Sequence, residues 1–217
     1  MFTQDTKDIS IPKALKLVGI ITGIWAALVV LSATLAYLPE HPDFSLFTTY
    51  LSDISDVGKT SGWPPILFNS GTLIGASLRY LVIVLLVLRL TQLGAGRAFT
   101  VSALIIGFIS TSGTVLMTAV PFSVAPPIHK LGIPLYFLGV VILQTLIGVK
   151  ESSIKAIPKI LPGLSFLTVI VYFIFATLVI LYEQGVVGRN TPIIWEWLAF
   201  FSSVVWVFAH GILLGRK

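Results

Sequence analysis

Six stretches of this 217-residue chain are long and apolar enough to cross a bilayer, and they constrain the fold more than any other feature. A helix needs about 20 mostly apolar residues to span the hydrocarbon core. Such runs lie near 14–38, 66–88, 99–120, 131–149, 161–182 and 194–214. Turn chemistry separates them: Pro39, Pro64-Pro65, Gly94 with Gly96, Pro121 with Pro126-Pro127, Pro158 with Pro162, and Gly185, Gly188 and Pro192. Proline and glycine at such places start or stop helices rather than interrupt them. The expected fold is an all-α integral membrane protein, a six-transmembrane-helix bundle forming one domain over 1–217. Composition agrees, since only 11% of residues are charged, 56% are hydrophobic and none is cysteine. A soluble domain carries roughly 25% charged residues. A water-soluble globule, a disulfide-stapled module and a Cys-ligated metal site are therefore excluded.

An even number of spans puts both termini on one side, and the basic residues say which. One set of helix ends carries Lys7, Lys13, Lys16, Arg89, Arg97, Lys150, Lys155, Lys159, Arg216 and Lys217, whereas the other carries Lys59, Lys130 and Arg189. This bias predicts cytoplasmic N- and C-termini in a cell membrane protein. The same scatter over short segments, without interleaved aromatic side chains, argues against nucleic acid as a partner. The first apolar run exceeds the 7–15 residues expected of a signal-peptide core and no clear A-x-A site follows it, so it is read as a retained helix.

The loop at 39–65 then lies outside. It is rich in apolar and aromatic residues, among them Phe44, Phe47, Tyr50, Leu51 and Trp63, and is expected to be structured and packed on the bundle. It also carries Glu40, Asp43, Asp53 and Asp56 against a lone Lys59. Asp53 and Asp56, three apart, share a face if the segment is helical. Equally, Ser52, Asp53, Ser55 and Asp56 are types that cap a helix or turn. His129 precedes the fourth span at the same level, and Glu196 sits one turn inside the sixth between Trp195 and Trp197, residues suited to an interfacial belt. An ionisable group at the edge of hydrocarbon is costly unless paired or wetted. Asp53, Asp56, His129 and Glu196, with Trp63 and Asn69, are thus candidates for one outer pocket. Carboxylates and an imidazole together suit a polar lipid headgroup, a divalent cation or acid–base work; a structural hydrogen-bond network is the other possibility. Their separations match no metal motif, and no metal is expected.

The run Ile54-Ser55-Asp56-Val57-Gly58, followed by Pro64-Pro65 and Phe68-Asn69, resembles the outer-loop signature of the DRAM/Frag/Sfk family. The stretch Ala119-Val120-Pro121-Phe122 with Ile128-His129-Lys130-Leu131-Gly132 is similar to that family's next landmark, and Glu196-Trp197 to its third. The pattern also resembles an uncharacterised prokaryotic group of six-span proteins. The eukaryotic members are associated with autophagy modulation, remodelling of glycosylphosphatidylinositol lipids and control of phospholipid distribution. The resemblance therefore implies lipid handling and marks Asp56, His129 and Glu196.

Polar residues also lie inside the spans. Gly71 and Gly75 form a G-x-x-x-G that permits close helix approach. Arg79, roughly 21 Å below Pro65, shares a face with Thr72 and Gly75, and is expected to point into the bundle rather than snorkel along lipid. Glu196, Ser203 and His210 recur every seven residues and form one polar stripe. Gln144 lies in the inner half, and Ser110, Thr111, Ser112 and Thr114 near the middle, where hydroxyls usually satisfy backbone carbonyls. The expected result is a polar seam between helices, with Glu196 and Arg79 too different in depth to pair. No metalloprotease, nucleophile-elbow or phosphate-loop motif occurs, and no cofactor is expected. The leading expectation is a protein that binds, distributes or helps remodel a membrane lipid through the outer pocket. The alternatives are a non-catalytic assembly subunit with a membrane-protein or homo-oligomeric partner, and a lipid hydrolase or transferase using the Asp/His/Glu cluster.

Overall fold

A computed structural model describes residues 10–216; Lys7 and Lys217, counted above among the basic residues, lie outside that range. Seven helices follow in order: α1 (Ile11–Tyr37), α2 (Leu51–Ser55), α3 (Trp63–Gln92), α4 (Arg97–Ala119), α5 (Pro126–Ser153), α6 (Ile160–Glu183) and α7 (Ile193–Leu214). All but α2 are long and apolar enough to cross a membrane, and the chain is a multi-pass membrane protein. The spans run beyond the apolar stretches because their ends are set by turn residues. Each diproline, at 64–65 and 126–127, occupies the first turn of its helix, where a missing N–H costs nothing. Pro134, by contrast, sits inside α5.

The six long helices close a ring: α1 packs on α3, then α4, α5, α6 and α7 follow in turn, and α7 returns to α1, while α3 and α7 also touch across the middle. Small residues make the tight crossings. A Cβ added at Gly19 of α1 would lie 2.7 Å from Gly211 Cα of α7. One added at Gly113 of α4 would overlap the Tyr136 amide of α5 and lie 2.8 Å from the Gly132 carbonyl oxygen. A Cβ added at Gly71, the first glycine of the G-x-x-x-G, would lie 2.5 Å from a Val29 methyl of α1. Close backbone approach of this kind is how helices gain packing energy when lipid removes the hydrophobic drive between them. The outward faces are apolar, with Leu28, Leu35, Phe108, Leu138 and Phe173 exposed, as a lipid solvent requires.

Inside the ring, packing is uneven. Where α1 begins and α7 stops, the lumen is filled by Leu15, Leu86, Leu90, Ile147, Leu161, Leu214 and their neighbours. At the other end, α2 lies over the lumen, with Leu51 and Ile54 packed on Val30, Ala33, Tyr37, Ile193 and Trp197. The loop between α1 and α3 is thus a structured cover, as its apolar content predicts. Between cover and plug lies a less densely filled middle.

Candidate functional site

At the α2 end, the ionisable residues hold the cover in place. A five-residue helix cannot satisfy its own first amides, and α2 has them satisfied by carboxylates. Glu196 of α7 accepts from the Leu51 N–H at 2.6 Å and from Ser52 N–H at 3.4 Å. Asp53 reaches back to accept from Tyr50 N–H at 3.1 Å, half of a capping box. Its two oxygens also pair with Lys59, at 2.6 Å, and with Arg189 from the α6–α7 loop. Arg189 in turn donates to Thr48 O and lies over the Tyr50 ring. Burial pushes the Tyr50 hydroxyl pKa up, with the nearby Glu196 charge adding to it. Trp197 donates to Thr49 O at 3.0 Å and is buried. It is a packing residue, not the interfacial anchor that its position in the sequence suggests.

Asp56 turns the other way. The helix ends at Ser55 and Asp56 is extended, so Asp53 and Asp56 do not share a helix face. Asp56 accepts from Gly58 N–H at 3.0 Å and from the Ser123 hydroxyl in the α4–α5 loop. Desolvation alone would raise its pKa, but these hydrogen bonds and the Lys59 charge outweigh it, and the carboxyl is held below its usual value. His129 bonds through Nδ1 to Val120 O at 3.0 Å and meets the edge of Phe122. Asn69 donates to Ser55 O, and Trp63 stands exposed at the start of α3. The outer candidates thus do not meet in one pocket: Asp53 and Glu196 converge at the start of α2, Asp56 bonds to Ser123 of the α4–α5 loop, and His129, in the first turn of α5, bonds to Val120 O. Each carboxylate is bonded to the protein itself. Among the described residues, no cluster of three or more His, Asp or Glu side chains is placed to hold a metal ion.

The polar groups within the spans do face the ring's interior. Arg79 donates through Nη2 to Ser110 Oγ at 2.8 Å, and its guanidinium lies 5.1 Å from the centre of the Tyr136 ring. Tyr136 and Tyr172 share a hydrogen bond of 2.6 Å, and Tyr172 another of 2.8 Å with Ser203. Gln144 is buried with no partner for Oε1. Nearest the plugged end, His210 meets Glu151 at 2.8 Å, both side chains fully buried. His210 Nδ1 lies 2.7 Å from the Trp206 carbonyl oxygen. A carbonyl only accepts, so Nδ1 carries a proton, and the Nε2–Glu151 contact then shares one further proton. Ser165 of α6 donates to Glu151 at 3.2 Å and accepts from Trp206 Nε1 at 2.8 Å. This network ties α5, α6 and α7 together.

Glu151 escapes the sequence reading because the apolar run stops at 149, whereas α5 continues to Ser153. The signal was present: Gln144 and Glu151 are seven apart, the same spacing as Ser203 and His210 on the facing helix.

Two spaces open off the seam. A half-open cavity lies between α1, α3 and α7, reached by Thr114 of α4 and Tyr136 of α5. Its walls include Ala26, Val29, Val30, Ala76, Val204 and Val207, with Thr22, Thr72, Ser203 and Arg79 as polar points. A smaller void below it is lined by Arg79, Gln144, Ser203 and Trp206. Arg79 borders both. The chemistry available is therefore a cation at the wall of a half-open, mostly apolar cavity at mid-depth.

Neither the curated proteins nor the solved structures contain a match to this sequence. Residues 24–213 do match a protein family described as "Protein of unknown function (DUF998)", a span running from within α1 to the last turn of α7 and so taking in the whole ring. The chain belongs to the DUF998 family.

Proposed function

We propose that the protein binds a membrane lipid in the chamber at the centre of its helix ring. The cavity carries this conclusion. Like small-molecule sites, it is concave and mostly apolar with a few convergent polar groups. With core side chains filling the ring towards one end, it suits holding a ligand better than conducting one. The likeness to DRAM/Frag/Sfk proteins supports a lipid as the class of molecule. The distribution of basic residues supports a cell membrane location with cytoplasmic termini, which puts α2 and its carboxylate clamps outside. On this view Asp53, Asp56 and Glu196 act by fixing the cover above the ligand.

The test is to fill the chamber. A Cβ at Gly75 meets only the Trp25 ring at ordinary contact distance, so Gly75→Leu projects into the cavity without displacing backbone. Gly163→Leu, on α6 with open space around it, is the control. Native mass spectrometry of protein taken from membranes should find bound lipid on the wild type and control but not on Gly75→Leu. Equal lipid on all three would refute the proposal.

A further inference from the structure

Arg79 is a cation with no anion among the described residues. Among the described residues, ion pairs involve only Asp53 with Lys59 and Arg189, and Glu151 with His210. The spans contain three acidic residues, Glu151, Glu183 and Glu196. Glu151 is held by His210 and Ser165, Glu196 by the α2 amides, and Glu183 is the last residue of α6. Arg79 lies 16 residues into α3, roughly 24 Å from its start. A guanidinium at that depth is costly unless its charge is met. Tyr136 and Ser110 meet it in part, but Nε is buried and has no acceptor. A guanidinium offers five N–H donors in a planar fork suited to two oxygens of one anion.

We propose that Arg79 binds the oxyanion of an acidic lipid, a phosphodiester or carboxylate, at the base of the chamber, with the apolar walls of α1 and α7 taking the chain. This rests on the chamber being a lipid site and adds the charge of its ligand. The apolar lining favours an amphiphile over a free inorganic anion, which would gain nothing from Val29, Val204 or Val207.

Full-length protein in phosphatidylcholine nanodiscs can be titrated with phosphatidylglycerol, oleate, a neutral diacylglycerol or inorganic phosphate. Thermal stability and Trp25 fluorescence are the readouts. Phosphatidylglycerol or oleate should raise the melting temperature and bind at least about tenfold more tightly than the diacylglycerol, the scale of one charge-assisted contact. Arg79→Gln should abolish that preference and melt cooperatively, while Arg79→Lys should retain part of it. Equal binding of acidic and neutral lipids by the wild type, lost in Gly75→Leu, would overturn the charge assignment and leave the lipid site standing. No lipid response that Gly75→Leu removes would overturn both. Phosphate binding as tightly as the acidic lipids would overturn the amphiphile. Should Arg79→Gln fail to fold, the order of ligands on the wild type and on Arg79→Lys still decides.

Discussion

Replacing Glu151 with leucine removes the group that joins α5 to both α6 and α7, and the cost follows from what is left behind. His210 Nε2 loses its 2.8 Å partner and Ser165 its 3.2 Å acceptor. His210 Nδ1 keeps its 2.7 Å contact with Trp206 O. Two neutral polar groups are left unpaired where the side chains have no exposure, at about 1–3 kcal/mol each. Glu151→Gln differs. Its amide N–H can donate to Nε2 and its carbonyl can accept from Ser165, so both bonds survive and the loss should stay within about 1 kcal/mol. Unfolding in detergent micelles, followed by circular dichroism, should therefore place the glutamine variant near the wild type and the leucine variant well below it. The pair Glu151→Leu with His210→Phe should recover part of the loss, because removing both partners strands fewer groups. A leucine variant as stable as the glutamine variant would refute the claim that this network holds the three helices together.

Gly113→Ala should destabilise by about 1–3 kcal/mol, since its Cβ meets the Tyr136 amide and the Gly132 carbonyl, neither of which can rotate away; Gly163→Ala, in open space within α6, should be neutral or slightly stabilising, and thermal melts compare them. The lowered pKa of Asp56 makes docking of the α2 cover on the α4–α5 loop acid-sensitive. A carboxyl whose pKa falls on folding stabilises fully above its ordinary value of 3.8, and that contribution fades as pH drops through the lowered value. Hydrogen exchange at residues 56–60 should accordingly rise, after correction for intrinsic rates, only below about pH 4, and Asp56→Asn should remove that step while leaving exchange elsewhere in the spans unchanged.

The spans were legible because hydrocarbon imposes length and apolarity on consecutive residues, and the diprolines mark helix starts in the sequence itself. Arg79 facing inward followed from sharing a face with Thr72 and Gly75, and it does line the cavity with both. Partners were not legible. Asp53 meets Arg189 and Asp56 meets Ser123 across 136 and 67 residues, separations no local pattern encodes. The outer residue types were equally suited to capping or to a pocket, and each carboxylate's bonds go to amides, hydroxyls and cations of the chain. The ring was invisible for a related reason: composition counts helices, but which neighbour each one touches depends on small-residue matches such as Gly19 with Gly211.

Those two glycines join the first membrane crossing to the last. During synthesis the circle therefore stays an open arc until the seventh helix is delivered. The wall that α7 gives the cavity, with Phe200, Ser203, Val204 and Val207, is thus the last part of its lining to be made.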